Sequence, residues 1–261
     1  MRGLPRRLQH SEEATFVEHL EELRWRIVVV LCALAVATIV AFAFHGHILD
    51  WLNQELPADR RRPVTLGVAE PFTVSLTVSL YAGFLLALPV ILWQLWSFLV
   101  PAFHPSIERR LLALVAFATS LGATGLAFGY SIVLPRALRW LTHYDDKHFT
   151  NLIQAKAYYS FTATVLLGIV AVFELPIVVL GLVGLGVLSS TRLRKNRRLG
   201  YFIVAVVALG LPGPDPVTTA LELFPMWALF EGSIWPAVLV ERRRPDPLLV
   251  DRFQPVAQPP D

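Results

Sequence analysis

The sequence predicts an all-α integral membrane protein with six transmembrane helices, and three observations carry that prediction. Of the 261 residues, 55% are hydrophobic and only 16% are charged, against about 25% charged in a soluble domain. The apolar residues stand in long blocks: Ile27–Phe44, Phe72–Phe103, Leu111–Leu134 and Ala157–Phe173 contain no Asp, Glu, Lys or Arg. Each block is apolar all round rather than on one face, and ~20 such residues in a helix cross ~30 Å of hydrocarbon.

Span 1 is expected over about 26–44. Arg2, Arg6 and Arg7 give a basic start and Ala41-Phe42-Ala43 resembles a cleavage site. The acidic stretch from Glu12 to Glu22 separates the two, so the block reads as a retained span rather than a secretory signal. Span 2 is expected over 71–99 with Pro89 inside it, and span 3 over 110–134, stopping at Pro135. Span 4 covers 158–185, interrupted by Glu174 and Pro176. Spans 5 (199–211) and 6 (216–235, interrupted by Glu222 and Pro225) are expected to be short. The apolar part of span 5, Tyr201–Leu211, reaches only ~16 Å at ~1.5 Å per residue. Either the bilayer thins there or the last two segments form a re-entrant hairpin; two short spans are the preferred reading. Between them, Leu211-Pro212-Gly213-Pro214-Asp215-Pro216 cannot continue a helix.

With the N-terminus inside, 16 of the 23 basic residues fall on inner segments and seven on outer ones, Arg60-Arg61-Arg62 included. That bias predicts both termini on the cytoplasmic side. Trp25, Trp93, Trp96 and Trp235 then lie near the inner boundary, and Trp51 and Trp140 near the outer one, as aromatic belts do. Three regions result: a cytoplasmic N-terminal segment (1–25) that begins a helix, a transmembrane domain (26–236) and a Pro- and Arg-rich cytoplasmic tail (237–261) read as flexible.

Several chemistries are absent. The lone Cys32 allows no intramolecular disulfide. Neither a phosphate-binding Gly-Lys-Ser/Thr loop nor a His-Glu-x-x-His zinc motif occurs. None of the seven histidines lies inside an apolar block, which argues against a serine–histidine intramembrane protease. No enzyme and no cofactor is predicted, so any work done across the membrane would draw its energy from partners or an ion gradient.

Function then rests on acidic residues. Before span 1, Thr15 and Glu18 fit a capping box. Phe16, Leu20, Leu23 and Ile27 share one stripe of the helix, with Glu18 and Glu22 opposite. Glu22–Arg26 and Glu21–Arg24 can also be ordinary helix-surface pairs contributing ~0.2–0.5 kcal/mol. Between spans 2 and 3, Glu108 stands in the first turn of span 3, where a carboxylate complements the helix dipole. Phe98, Pro101, Phe103 and Pro105 make that loop stiff and apolar: a binding surface, or one laid against the bilayer. Glu174 lies within a span, where a carboxylate costs at least ~2.5 kcal/mol near the bilayer centre. It must face protein, water or a partner, or be protonated, and Pro176 makes a local polar pocket plausible. Glu222 and Glu231 flank Pro225 on opposite faces of span 6, and Glu231 can snorkel to the inner boundary.

In order and spacing these motifs resemble the TatC family of the twin-arginine protein translocase. His19-Leu20-Glu21-Glu22-Leu23-Arg24-Trp25-Arg26-Ile27 looks like the signature before that family's first span. The stretch from Pro89 through Gln94, Trp96, Phe98 and Pro101 to Glu108-Arg109-Arg110 is similar to its second motif. Phe173-Glu174-Leu175-Pro176 matches its Phe-Glu-x-Pro, and Leu221–Glu231 with Pro225 is similar to its last span. Pro212-Gly213-Pro214-Asp215 departs from the family's usual Thr-Pro-Pro-Asp, and Thr219 stands where Gln is usual. Those positions are associated in the family with packing of a partner's helix.

The resemblance implies a core receptor subunit in the cytoplasmic (inner) membrane. Glu22 and Glu108, with Arg24 and Phe98, would bind the twin-arginine signal peptide of a folded cargo. Glu174, Pro212, Asp215, Thr219 and Glu231 would receive TatA- and TatB-like single-span subunits. Transport would use the proton-motive force, within a complex holding several copies of the chain among membrane lipids and without nucleic acid. The competing reading is a proton-coupled secondary transporter of a small solute, working through Glu174 and Glu222.

Overall fold

The computed structural model of the chain describes residues 16–57, 61–99, 111–144, 148, 152–210 and 216–242. Helix α1 runs unbroken from Phe16 to Ala43. It contains neither proline nor glycine, so its polar first turns and the apolar block form one rod. At Phe44 the chain turns into α2, His45–Asn53, a short helix that follows the first span. Three tyrosines hold α2 in place. The Trp51 ring stacks on Tyr130 at 3.6 Å. Tyr130 Oη donates to the Trp51 carbonyl (2.9 Å) and Tyr158 Oη to that of Leu52 (2.6 Å). Tyr159 Oη donates to Asn53 Oδ1 (2.8 Å). Two of these bonds fall on main-chain carbonyls in the last turn of α2 and the third on the side-chain oxygen of its final residue.

Helix α3, Glu70–Leu99, passes through Pro89 without a break and packs lengthwise on α1. Glu70 fastens its start. Glu70 Oε2 accepts from the Leu66 and Gly67 amides (2.7 and 3.2 Å), while Oε1 accepts from Gln154 Nε2 and the Lys156 amide (both 3.1 Å). A parallel bridge between Val64 and Gln154 completes this clasp between two connecting segments.

The third span departs from expectation. Helix α4, Leu111–Phe128, runs through a π turn at Gly129–Val133 into α5, Leu134–His143, so the rod does not stop at Pro135. Pro135 stands in the first turn of α5, where a missing N–H does no harm. The wider π turn takes up the residue that a regular helix would have to place against the proline ring.

Helices α6 (Ala155–Phe173) and α7 (Leu175–Leu185) are the two halves of span 4, broken at Glu174 as Pro176 requires. Gly186 ends α7 with φ 80°, a left-handed conformation that glycine adopts without a Cβ clash. Ser189 caps α8 (Ser190–Lys195) by accepting the Thr191 amide, and α9 covers Arg197–Gly210. The last helix, α10, runs from Pro216 to Arg242. At 27 residues it is not the short element expected, and neither Pro225 nor Pro236 interrupts it. Its inward face carries Met226, Phe230 and Ile234, all buried against α6 and α9. In an apolar surrounding a helix tolerates proline because neighbouring groups re-satisfy the backbone. The turn expected at 211–215 lies outside the described residues.

Among the described residues, four helical stretches are long and apolar enough to cross a membrane: His19–Ala43, Glu70–Leu99, Leu111–His143 and Ala155–Leu185. Large apolar side chains face outward along them and along α9 and α10, among them Ile39, Phe72, Leu112, Phe202 and Phe224. That is the surface of a multi-pass membrane protein. Trp96, expected in an aromatic belt, is instead buried, with its ring against Gly181.

Candidate functional site

The N-terminal turns of α1 meet the C-terminal turns of α3. Glu22 and Arg26 lie four residues apart on α1, one turn above each other. Glu22 Oε1 accepts from Arg26 Nε (3.1 Å) and Nη2 (2.5 Å). The same guanidinium reaches across to α3. Nη1 donates to the side-chain and main-chain oxygens of Gln94 (3.2 and 3.5 Å), and Nη2 to the Ser97 carbonyl (3.2 Å). Beside this knot His19 stacks on Phe98, ring centroids 4.4 Å apart, and His19 Nδ1 lies 3.9 Å from Glu22 Oε2. A carboxylate oxygen, an imidazole and an aromatic ring therefore share one rim. Arg24, two residues from Glu22 and about 200° round the helix, is exposed and takes no part in the group. Glu108 lies outside the described residues.

The Glu22–Arg26 pair was legible from its i,i+4 spacing, but the role of Gln94 and Ser97 was not. The missing signal was the destination of the other guanidinium donors, which only the approach of α3 supplies. The His19–Phe98 ring contact likewise joins residues 79 positions apart and has no signal in either motif alone.

Glu174 occupies the break between α6 and α7 and is almost wholly buried. Neither of its carboxylate oxygens has a hydrogen-bond partner among the described residues. Its neighbour across the interface is Gly122 of α4, where a Cβ would lie 2.9 Å from Glu174 Oε1 and 2.9 Å from Leu88 Cδ2. One turn along, Gly125 leaves the same kind of room for Phe173. On this side the carboxyl group faces the bare backbone of Gly122 rather than a polar side chain.

Glu231 on α10 has partners. Arg197 Nη1 reaches Glu231 Oε1 at 2.6 Å, and Tyr201 Oη donates to Glu231 Oε2 at 2.7 Å, tying α9 to α10. Glu222 is buried on the same helix and Thr219 is half-buried in its second turn. Pro212 and Asp215 lie outside the described residues. The structure therefore brings Glu22 and Phe98 to one rim, and places Glu174, Thr219 and Glu231 on other elements. No cluster of metal-binding side chains occurs among the described residues.

The sequence profile of the Sec-independent protein translocase protein (TatC) family matches residues 18–225. The chain belongs to the TatC family. Among its relatives, the TatCd protein of Bacillus subtilis is 34% identical over 234 residues, covering 90% of this chain and 96% of the relative. The TatC protein of Carboxydothermus hydrogenoformans is 32% identical, covering 87% and 94%. Among solved structures, a crystal structure of the twin-arginine translocase receptor TatC in DDM superposes with a TM-score of 0.74 at 30% identity. The superposition covers 84% of this chain and 99% of that one. A second crystal structure of that receptor gives 0.73.

This TatC-family chain is thus a multi-pass membrane protein of a protein translocase, and its relatives are translocase components rather than enzymes. The similarity spans both the α1–α3 rim and the Glu174 break, which lie within the matched residues.

Proposed function

We propose that this chain is the receptor subunit of a twin-arginine translocase, binding the signal peptide at the rim formed by α1 and α3. The observation that carries the reading is Glu22, held at that rim by Arg26 with one carboxylate oxygen turned toward the His19–Phe98 stack. A signal arginine presents a planar fork of N–H donors, which suits a carboxylate and which lysine cannot reproduce. Glu108 supplies the second carboxylate, and Phe98 supports the apolar part of the signal. Arg24 flanks the site.

In this reading the chain crosses the cytoplasmic membrane six times with both termini in the cytoplasm, which puts the rim on the side where folded cargo waits. The N-terminal segment 1–25 and the tail from 237 belong to that side. Single-span TatA- and TatB-like subunits dock near Glu174 and along α9 and α10, with Pro212, Asp215 and Thr219 shaping the far end of that face and Glu231 bracing the near end. Several copies assemble in one complex, and the proton-motive force drives export.

Photo-crosslinking tests the receptor reading. A twin-arginine peptide should label the chain near Glu22 and Glu108 in membranes, and the same peptide with two lysines should not. Equal labelling by both peptides, with the chain correctly inserted, overturns the reading and returns the chain to the transporter alternative. A Glu22→Gln, Glu108→Gln double variant should abolish both labelling and export.

A further inference from the structure

Arg26 uses every donor it has. A guanidinium carries five N–H groups, and here they meet Glu22 Oε1 twice, Gln94 Oε1, the Gln94 carbonyl and the Ser97 carbonyl. Three of these five contacts are on α3. The Ser97 carbonyl lies in the last turn of that helix, where carbonyls have no partner within the helix and the dipole is negative. Arg26 is therefore anchored by α3 independently of Glu22, and its side chain is largely covered, with 19% exposed.

That anchoring has two effects on Glu22. Both contacts fall on Oε1, so Oε1 is committed, while Oε2 lies 3.9 Å from His19 Nδ1. The carboxylate is also largely neutralised by a cation that does not leave. An approaching cation then feels little net attraction. It gains mainly by hydrogen bonds to the one open oxygen, Oε2, on which a guanidinium can set two N–H donors at once, as Arg26 does on Oε1.

We infer that Arg26 is a positioning residue that sets arginine-over-lysine selectivity at Glu22, by fixing Oε1 and cancelling the charge that would otherwise attract any cation. The inference rests on the receptor reading above and extends it to a residue outside the pair of binding carboxylates. It makes a demand that a merely structural role does not. Loss of Arg26 should weaken the twin-arginine peptide and strengthen the twin-lysine peptide, because a freed Glu22 becomes a mobile full charge.

The test measures the dissociation constants of both peptides against the detergent-solubilised full chain, for wild type, Arg26→Gln, Arg26→Lys and Gln94→Leu. Arg26→Gln should weaken the arginine peptide by about tenfold, the cost of ordering one side chain on binding. It should also bring the two peptides within about threefold of each other, since the uncancelled charge of Glu22 then attracts both cations alike. Arg26→Lys keeps the charge but cannot reach Glu22, Gln94 and Ser97 together, so the arginine peptide weakens without a gain for lysine. Gln94→Leu leaves Arg26 in place with one anchor fewer and moves selectivity the same way by a smaller factor. It therefore carries the test should Arg26→Gln fail to insert. Equal weakening of both peptides in Arg26→Gln, or unchanged selectivity in Gln94→Leu when Arg26→Gln cannot be purified, overturns the inference. A wild-type chain that does not distinguish the peptides overturns the receptor reading itself.

Discussion

Gly83 of α3 faces Thr38 of α1 so closely that a Cβ on the glycine would lie 2.7 Å from both the amide nitrogen and the Cα of Thr38. The obstacle is backbone and cannot turn aside. Gly83→Ala is expected to push the two helices apart and cost about 1–3 kcal/mol, as overpacking does. Gly122→Ala should cost less, because the atoms it meets, Glu174 Oε1 and Leu88 Cδ2, are ends of flexible side chains. Thermal unfolding of both variants in detergent checks the order; a larger loss for Gly122→Ala would show that the Glu174 end is the rigid one.

The buried Glu174 yields a prediction of opposite sign for stability and function. Its oxygens have no hydrogen-bond partner among the described residues, and a buried polar group in that state costs about 1–3 kcal/mol. Glu174→Leu, which roughly keeps the volume, is expected to stabilise the isolated chain by that amount while lowering export. A destabilised Glu174→Leu chain would mean that the carboxyl group is satisfied within the fold.

Glu231, Tyr201 and Arg197 act as one fastening between α9 and α10. Tyr201→Phe and Glu231→Gln are each expected to lower the unfolding midpoint. The double variant should fall short of the sum, because both changes break the same hydrogen bond. Strict additivity in that double-mutant cycle would separate the two residues.

Glu70 collects four hydrogen bonds, from Leu66 and Gly67 ahead of its own helix and from Gln154 and Lys156 at the start of α6. Glu70→Ala should speed hydrogen exchange at the Leu66, Gly67 and Lys156 amides and leave that of α1 unchanged. Unaltered exchange at the three amides would assign the clasp to the Val64–Gln154 bridge instead.

The apolar blocks and the break at Glu174 and Pro176 could be read directly, because lipid burial and proline geometry are local constraints written in consecutive residues. The break came out where Pro176 demanded it. Pro135 and Pro225 obey the same rule on paper and yet interrupt nothing. A π turn widens the helix before the first, and burial of Met226, Phe230 and Ile234 holds the helix together past the second. Both compensations depend on neighbours distant in sequence. The rim shows the same division. Glu22 and Arg26 are paired by spacing alone, while Gln94 and Ser97, 68 and 71 residues from Arg26, become visible only once α3 lies against α1.

The π turn at Gly129–Val133 acts as a phase shift in a screw. One added residue rotates everything after it by about 100°, and the side chains delivered inward are Leu134, Ala137 and Leu138, all buried, while Arg139 stays outside. Deleting Pro135, just past the turn, would draw every later residue back one place. Arg139 would take the slot that Leu138 now fills, at 4% exposure, and an error of one codon would put a charge into the cluster of Leu52, Val78 and Tyr158 that anchors α2.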